Sequence, residues 1–275
     1  MTQVRWADGA TGFISAGGHR LEFACFGPPP HDAPTIVMLH EGLGCVGLWR
    51  DFPELVSQSI GFGVFTYSRA GYGQSDAVEL PRPLDYMTIE AQDVLPDVLD
   101  SIGLRCGILL GHSDGATISA IYAGTVSDPR IRGLVLIAPH FFAEEVGLSQ
   151  IQRAAEIFRT GELRLKMAKY HRNPDVAFRG WNDAWLHPDF VRWNVSDVID
   201  HLRIPVLAIQ GEDDQYGTLA QVREIESRVN APFEKLILPQ CQHSPHLSRP
   251  QETVAAIARF SMRFDRFESG VVQST

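Results

Sequence analysis

The chain has 275 residues, 24 Lys and Arg against 33 Asp and Glu, a formal charge of -9, and 44% hydrophobic residues. This is the composition of a globular protein with a sizeable core. The acidic balance, with no basic run to neutralise a line of phosphates, argues against nucleic acid and anionic membrane as partners. The first ten residues lack the basic start and apolar centre of a signal peptide, and no apolar run approaches membrane-spanning length, so the expected location is the cytoplasm. Cys25, Cys45, Cys106 and Cys241 are widely spaced, with no CxxC pair to hold a metal, and read as free thiols in a reducing compartment.

In chain order, two extended segments at 11–16 and 19–26 are joined by Gly17-Gly18, a dipeptide suited to the positive φ angles of a tight hairpin. After a proline-rich bend, the apolar strand 35–40 runs into the loop Glu41-Gly42-Leu43-Gly44, and a helix is expected over 48–60. The pattern then alternates: strand 64–68, helix 88–102, strand 107–110, helix 116–126 and strand 133–138. It resumes after an interruption with strand 205–210, helix 219–229, strand 234–238 and a closing helix over 251–264. Short aliphatic strands separated by amphipathic helices predict an α/β fold, a doubly wound and mostly parallel sheet covered on both faces, with an antiparallel edge. The interruption, 141–202, breaks the alternation and is expected to be a helical cap inserted into a core made of 1–140 and 203–275.

Gly111-His112-Ser113-Asp114-Gly115 matches GxSxG between a strand and a helix rich in small residues. Such a turn presses strand and helix together, so the glycines and Ala116 leave room where larger side chains would clash. Ser113 is the expected nucleophile. A serine hydroxyl needs a base and an orienting acid, and both stand just past strand ends downstream, where open α/β sheets build their sites. His243 is the expected base, with His246 as its competitor. Asp214, three residues after Gly211, is the expected acid, with Asp213 as the alternative.

These residues resemble the α/β-hydrolase superfamily. His40-Glu41-Gly42-Leu43-Gly44 is similar to its HGxxG loop, Tyr67-Ser68-Arg69-Ala70-Gly71-Tyr72-Gly73-Gln74-Ser75 to its D-x-R-G-x-G-x-S loop, and Cys241-Gln242-His243 to its histidine loop. The resemblance implies an oxyanion hole made from the N–H of Gly42 or Leu43 together with that of Asp114. A carboxylate beside an oxyanion would repel it, so the Asp114 side chain is expected to point away, toward cap or solvent. Two positions depart from the pattern: Glu41 stands where glycine is usual, and Ser68 where aspartate is common. Arg69 is read as structural.

Trp181, Trp185 and His187 in the inserted segment, together with Glu41, are the candidate substrate contacts, and His171 and Asn182 offer further polar groups. The expected function is cofactor-free hydrolysis of a carboxylic ester, lactone or related acyl compound of small size. Carbon-carbon bond hydrolysis of an aromatic ring-cleavage product is one alternative, and a slowly hydrolysing ligand receptor is the other. Neither a metal-ligand spacing nor a phosphate loop competes, and an oligomer is compatible with the sequence.

Overall fold

The computed structural model describes residues 4–264; the ends of the expected core, 1–3 and 265–275, lie outside the described residues. Eight strands form one sheet: β1 (Thr11–Ala16), β2 (His19–Phe26), β3 (Thr35–Leu39), β4 (Gly63–Tyr67), β5 (Gly107–His112), β6 (Ile131–Ile137), β7 (Val206–Gly211) and β8 (Phe233–Leu238). Their order is β1-β2-β4-β3-β5-β6-β7-β8. The β1–β2 and β2–β4 pairs are antiparallel and the rest are parallel.

The helices are α1 (Phe52–Ile60), α2 (Tyr86–Ile89), α3 (Leu95–Ser101), α4 (Asp114–Thr125), α5 (Glu145–Arg159), α6 (Glu162–Met167), α7 (Pro174–Trp185), α8 (Ala220–Arg228), α9 (Pro245–Ser248) and α10 (Pro250–Ser261). Alternation within the central strands feeds two cores. Val37, Leu39 and Leu109 pack on one face with α3, α4 and α8, while Ile36, Met38, Ile108 and Leu110 pack on the other with α1 and α10.

Two expected helices are broken. The stretch at 48–60 divides into a short 3-10 turn, Val46–Trp49, and α1, because Arg50 adopts φ 53 and Pro53 restarts the helix in its first turn. The stretch at 88–102 begins earlier, at Tyr86, and contains a π turn, Glu90–Val94, before Pro96 opens α3. The segment between β6 and β7 folds into α5, α6, α7 and two 3-10 turns.

Because β3 lies between β4 and β5, the chain leaves β3 toward β4 on one side and leaves the adjacent β5 toward β6 on the other. The carboxyl ends of β3 and β5 therefore border the point where open sheets of this kind admit ligands. The loops after both strands are pressed together: a Cβ at Gly115 would lie 2.0 Å from the Leu39 carbonyl oxygen, and one at Gly111 2.1 Å from that of Gly115. Relieving the first contact parts β3 from α4, and relieving the second opens the turn between β5 and α4. Gly115→Val is therefore expected to lose at least about 4 kcal/mol of stability, read as loss of soluble yield or of the native baseline in urea unfolding; a variant unfolding within about 1 kcal/mol of wild type would contradict this packing.

Candidate active site

Ser113 occupies the turn between β5 and α4 with φ 54 and ψ -118, a left-handed backbone rare for a side-chain-bearing residue. It borders a half-open cavity of ≈ 200 Å³ that Gly42, Leu43, His140, Trp181, Trp185 and His243 also line. His243 follows β8, and its Nδ1 lies 2.9 and 2.8 Å from the two oxygens of Asp214, which follows β7. Asp214 also accepts from Gln210 Nε2 at 2.7 Å and from the Tyr216 N–H at 2.8 Å. Burial opposes its ionisation, but the charge and hydrogen bond of His243 and the Tyr216 N–H hold the carboxyl below its usual range. Since Asp214 is an acceptor, His243 carries its hydrogen on Nδ1, leaving Nε2 as the basic nitrogen. Asp213 is exposed and makes no contact with His243; its N–H donates to the Cys241 carbonyl at 2.9 Å.

His246 is buried against Trp49, Phe52 and His112. Burial, then the neighbouring His112 and His243, push its imidazole well below the usual range, so it fills the core beneath the histidine loop.

The loop after β3 is held from beneath. The Glu41 carbonyl accepts from His40 Nδ1 at 2.7 Å, from Arg69 Nη2 at 3.0 Å and from the Gly44 N–H at 3.1 Å. In a planar trans peptide the next N–H points the opposite way, so these bonds turn the Gly42 N–H away from the protein side of the loop, and Gly42 lines the cavity. Among the described residues the N–H groups of Gly42, Leu43 and Asp114 meet no acceptor. Asp114 opens α4, where a helix leaves its N–H groups without internal partners.

The Asp114 side chain corrects the expectation. It turns neither to solvent nor into the cap but into the core, where Tyr86 donates to it and Arg69 Nη2 lies 3.9 Å away, with Asp114 only 1% exposed. Burial pushes this carboxyl up, and the Arg69 guanidinium and the Tyr86 hydroxyl offset part of the rise. Arg69 also donates to the His40 carbonyl, so one side chain ties together the loops after β3, β4 and β5. Ser68 stands in for the usual aspartate by accepting from the Val46 N–H at 2.9 Å and donating to Glu22 at 2.7 Å.

Of the candidate substrate contacts, Glu41, Trp181 and Trp185 line the cavity and His187 does not. The His187 ring is exposed and caps a 3-10 turn, accepting from the Asp189 N–H at 3.2 Å. His171 and Asn182 are likewise committed. His171 accepts from the Gly73 N–H and bonds the Leu43 carbonyl, each at 3.0 Å, and Asn182 donates to the Ile151 carbonyl at 3.0 Å. Sequence reasoning missed His112, His140, Glu144 and Tyr216, all of which line the cavity. Position just past a strand end was the available signal for His140; Glu144 had none.

Among the described residues, no group of three or more His, Cys, Asp or Glu side chains could hold a metal ion, and no helix is long and apolar enough to cross a membrane. Arg69 is buried with Asp114, so Arg69→Met, which leaves that carboxylate uncompensated, is expected to cost about 3–5 kcal/mol in urea unfolding. Arg69→Lys, which keeps the charge but not the fork, should lose less. Equal stability of Arg69→Met and wild type would contradict the arrangement.

Comparison with known proteins agrees with this fold. The family model for the alpha/beta hydrolase family matches residues 36–257. Epoxide hydrolase 3 of Xenopus tropicalis is 25% identical over 92% of this chain and 78% of its own length. A bifunctional esterase/perhydrolase of Acinetobacter calcoaceticus is 25% identical over 68% of this chain and 76% of its own. Among solved structures, the enol-lactonase from Burkholderia xenovorans LB400 superposes with a TM-score of 0.71 at 18% identity, covering 91% of this chain and 100% of that one. The chain thus belongs to the alpha/beta hydrolase family.

Proposed function

We propose that the protein is a serine hydrolase that cleaves a carboxylic ester or lactone through an acyl-enzyme, and that the helical segment 141–202 caps the site. The observation that carries this reading is the bidentate contact of Asp214 with His243 Nδ1, in a base that borders the same cavity as the strained Ser113.

Ser113 Oγ attacks the substrate carbonyl while His243 Nε2 takes its proton, and Asp214 stabilises the imidazolium. The negative charge that develops on the carbonyl oxygen is met by the N–H of Gly42 or Leu43 and by that of Asp114. Collapse expels the alcohol, which takes the proton from His243. Water, deprotonated in turn by His243, attacks the acyl-enzyme, and collapse releases the acid as His243 returns the proton to Ser113 Oγ. Bond making and breaking balance with water alone, so no cofactor enters the scheme.

Chemistry separates this reading from the epoxide hydrolase that the chain resembles. A serine that opened an epoxide would become an ether, which the same site could not hydrolyse; a serine that attacks a carbonyl becomes an ester, which water cleaves. Carbon-carbon bond hydrolysis of ring-cleavage products is disfavoured by the lining, since such products carry a carboxylate and, among the described residues, neither lysine nor arginine faces the cavity.

Wild type is expected to react with a fluorophosphonate and to turn over a short-chain aryl ester, and Ser113→Ala to do neither. Asp214→Asn should lower kcat by about 10³–10⁴-fold with the fold intact, whereas Asp213→Asn should stay within about twofold. The reverse ranking would reassign the acid. Labelling at Ser113 without appreciable turnover of any ester would favour a ligand receptor.

A further inference from the structure

The cavity beside Ser113 is built for one sign of charge. Its acidic lining residues are Glu41, Asp114 and Glu144, and among the described residues no lysine or arginine joins them. Asp114 has Arg69 at 3.9 Å. Glu41 faces the His112 ring and feels Arg69 at longer range, whereas Glu144 has no cationic side chain paired with it among the described residues.

Glu41 is 30% exposed at its side chain and faces the Nδ1 of His112 at 3.7 Å, too far for a normal hydrogen bond. His112 Nε2 lies 2.8 Å from the His243 carbonyl. A carbonyl only accepts, so Nε2 carries the hydrogen, and Nδ1 is the ring atom turned toward Glu41. That Nδ1 is buried and has no partner among the described residues. Burial opposes the ionisation of Glu41, yet the adjoining His112 and, at longer range, the Arg69 guanidinium hold its carboxyl below the usual range.

Glu144 is fixed differently. It accepts from the Thr218 N–H at 3.0 Å, Thr218 Oγ1 at 2.6 Å and Gln221 Nε2 at 2.7 Å, neutral donors that orient a carboxylate without cancelling its charge. The histidine beside them adds no cation, because burial, then His243, push His140 down to about 3. Trp181 and Trp185 supply buried ring surface, and Trp185 is anchored by donating to the Tyr86 hydroxyl at 3.0 Å. Carboxylates beside indole rings suit a ligand that is both a hydrogen donor and a soft cation.

We infer that the substrate class is an ester or lactone carrying a protonated amine, whose N–H meets Glu41 or Glu144 and whose alkyl substituents lie on the tryptophans; this rests on the serine-hydrolase reading of the same cavity. Esters carrying a carboxylate are repelled by the same side chains.

Three phenyl acetates differing only in one insulated substituent test this directly: 3-(dimethylaminomethyl), 3-(hydroxymethyl) and 3-(carboxymethyl), each assayed for kcat/KM at low salt. The expected order is cationic, neutral, anionic, with about 100-fold between the extremes. The spread should shrink in added salt and in Glu41→Gln and Glu144→Gln. Calorimetry on the same proteins with benzyldimethylammonium chloride and sodium phenylacetate reads charge preference without turnover, the ammonium binding more tightly to wild type and losing that advantage in the variants. Turnover with rates equal within about threefold across the series, or an anionic ester in the lead, would overturn the inference. Absence of any turnover with ammonium-selective binding intact would overturn the hydrolase reading instead and leave the charge selection standing. Equal binding of both ions would remove it.

Discussion

The buried guanidinium of Arg69 is the interaction on which the site depends. It donates to the His40 and Glu41 carbonyls and lies beside the Asp114 carboxylate. Charges this deep are tolerated when each has partners, and here the partners are the two segments that supply the proposed oxyanion donors. Peptide planarity does the rest. With the Glu41 oxygen held by three donors, the Gly42 N–H has one direction left, and the Asp114 N–H opens α4 above a side chain turned safely inward. A carboxylate next to the proposed nucleophile thus becomes compatible with a developing negative charge, because it faces Arg69 and Tyr86.

The same economy recurs around the other loops. His112 ties the strand that ends at Ser113 to the His243 carbonyl. His171 ties the inserted segment to Leu43 and Gly73, and Trp185 ties it to Tyr86. Side chains that sequence reading treats as candidate ligands are therefore often the fasteners that hold loops from different strands in register. Polar groups held this way need no reorganisation when charge develops, which is the basis of electrostatic catalysis.

The mostly parallel sheet with its antiparallel edge, and the places of Ser113, Asp214 and His243 just past strand ends, were legible because the cues are local. Aliphatic runs mark buried parallel strands, and Gly111 and Gly115 mark a turn too tight for any Cβ. Helix breaks were less legible: Arg50 in the left-handed region leaves no mark in the letters, and the π turn before Pro96 obeys the same apolar periodicity as a regular helix. The choice between Asp213 and Asp214 turns on one residue of backbone direction after β7, which puts Asp213 outside and Asp214 against the imidazole. His187 failed for the opposite reason, since its surroundings look like a pocket rim until the turn it caps is seen. Glu144 lay hidden because its importance comes from Thr218 and Gln221, far away along the chain.

The relatives include an epoxide hydrolase, an esterase/perhydrolase and an enol-lactonase, so the decisive question is which atom becomes covalently attached. Mass spectrometry of the protein trapped with a slowly deacylating aryl carbamate answers it. The account predicts one carbamoyl group per chain, carried by Ser113 and lost as activity returns. An adduct on the carboxylate of Asp114, or undiminished turnover with no adduct, would contradict it.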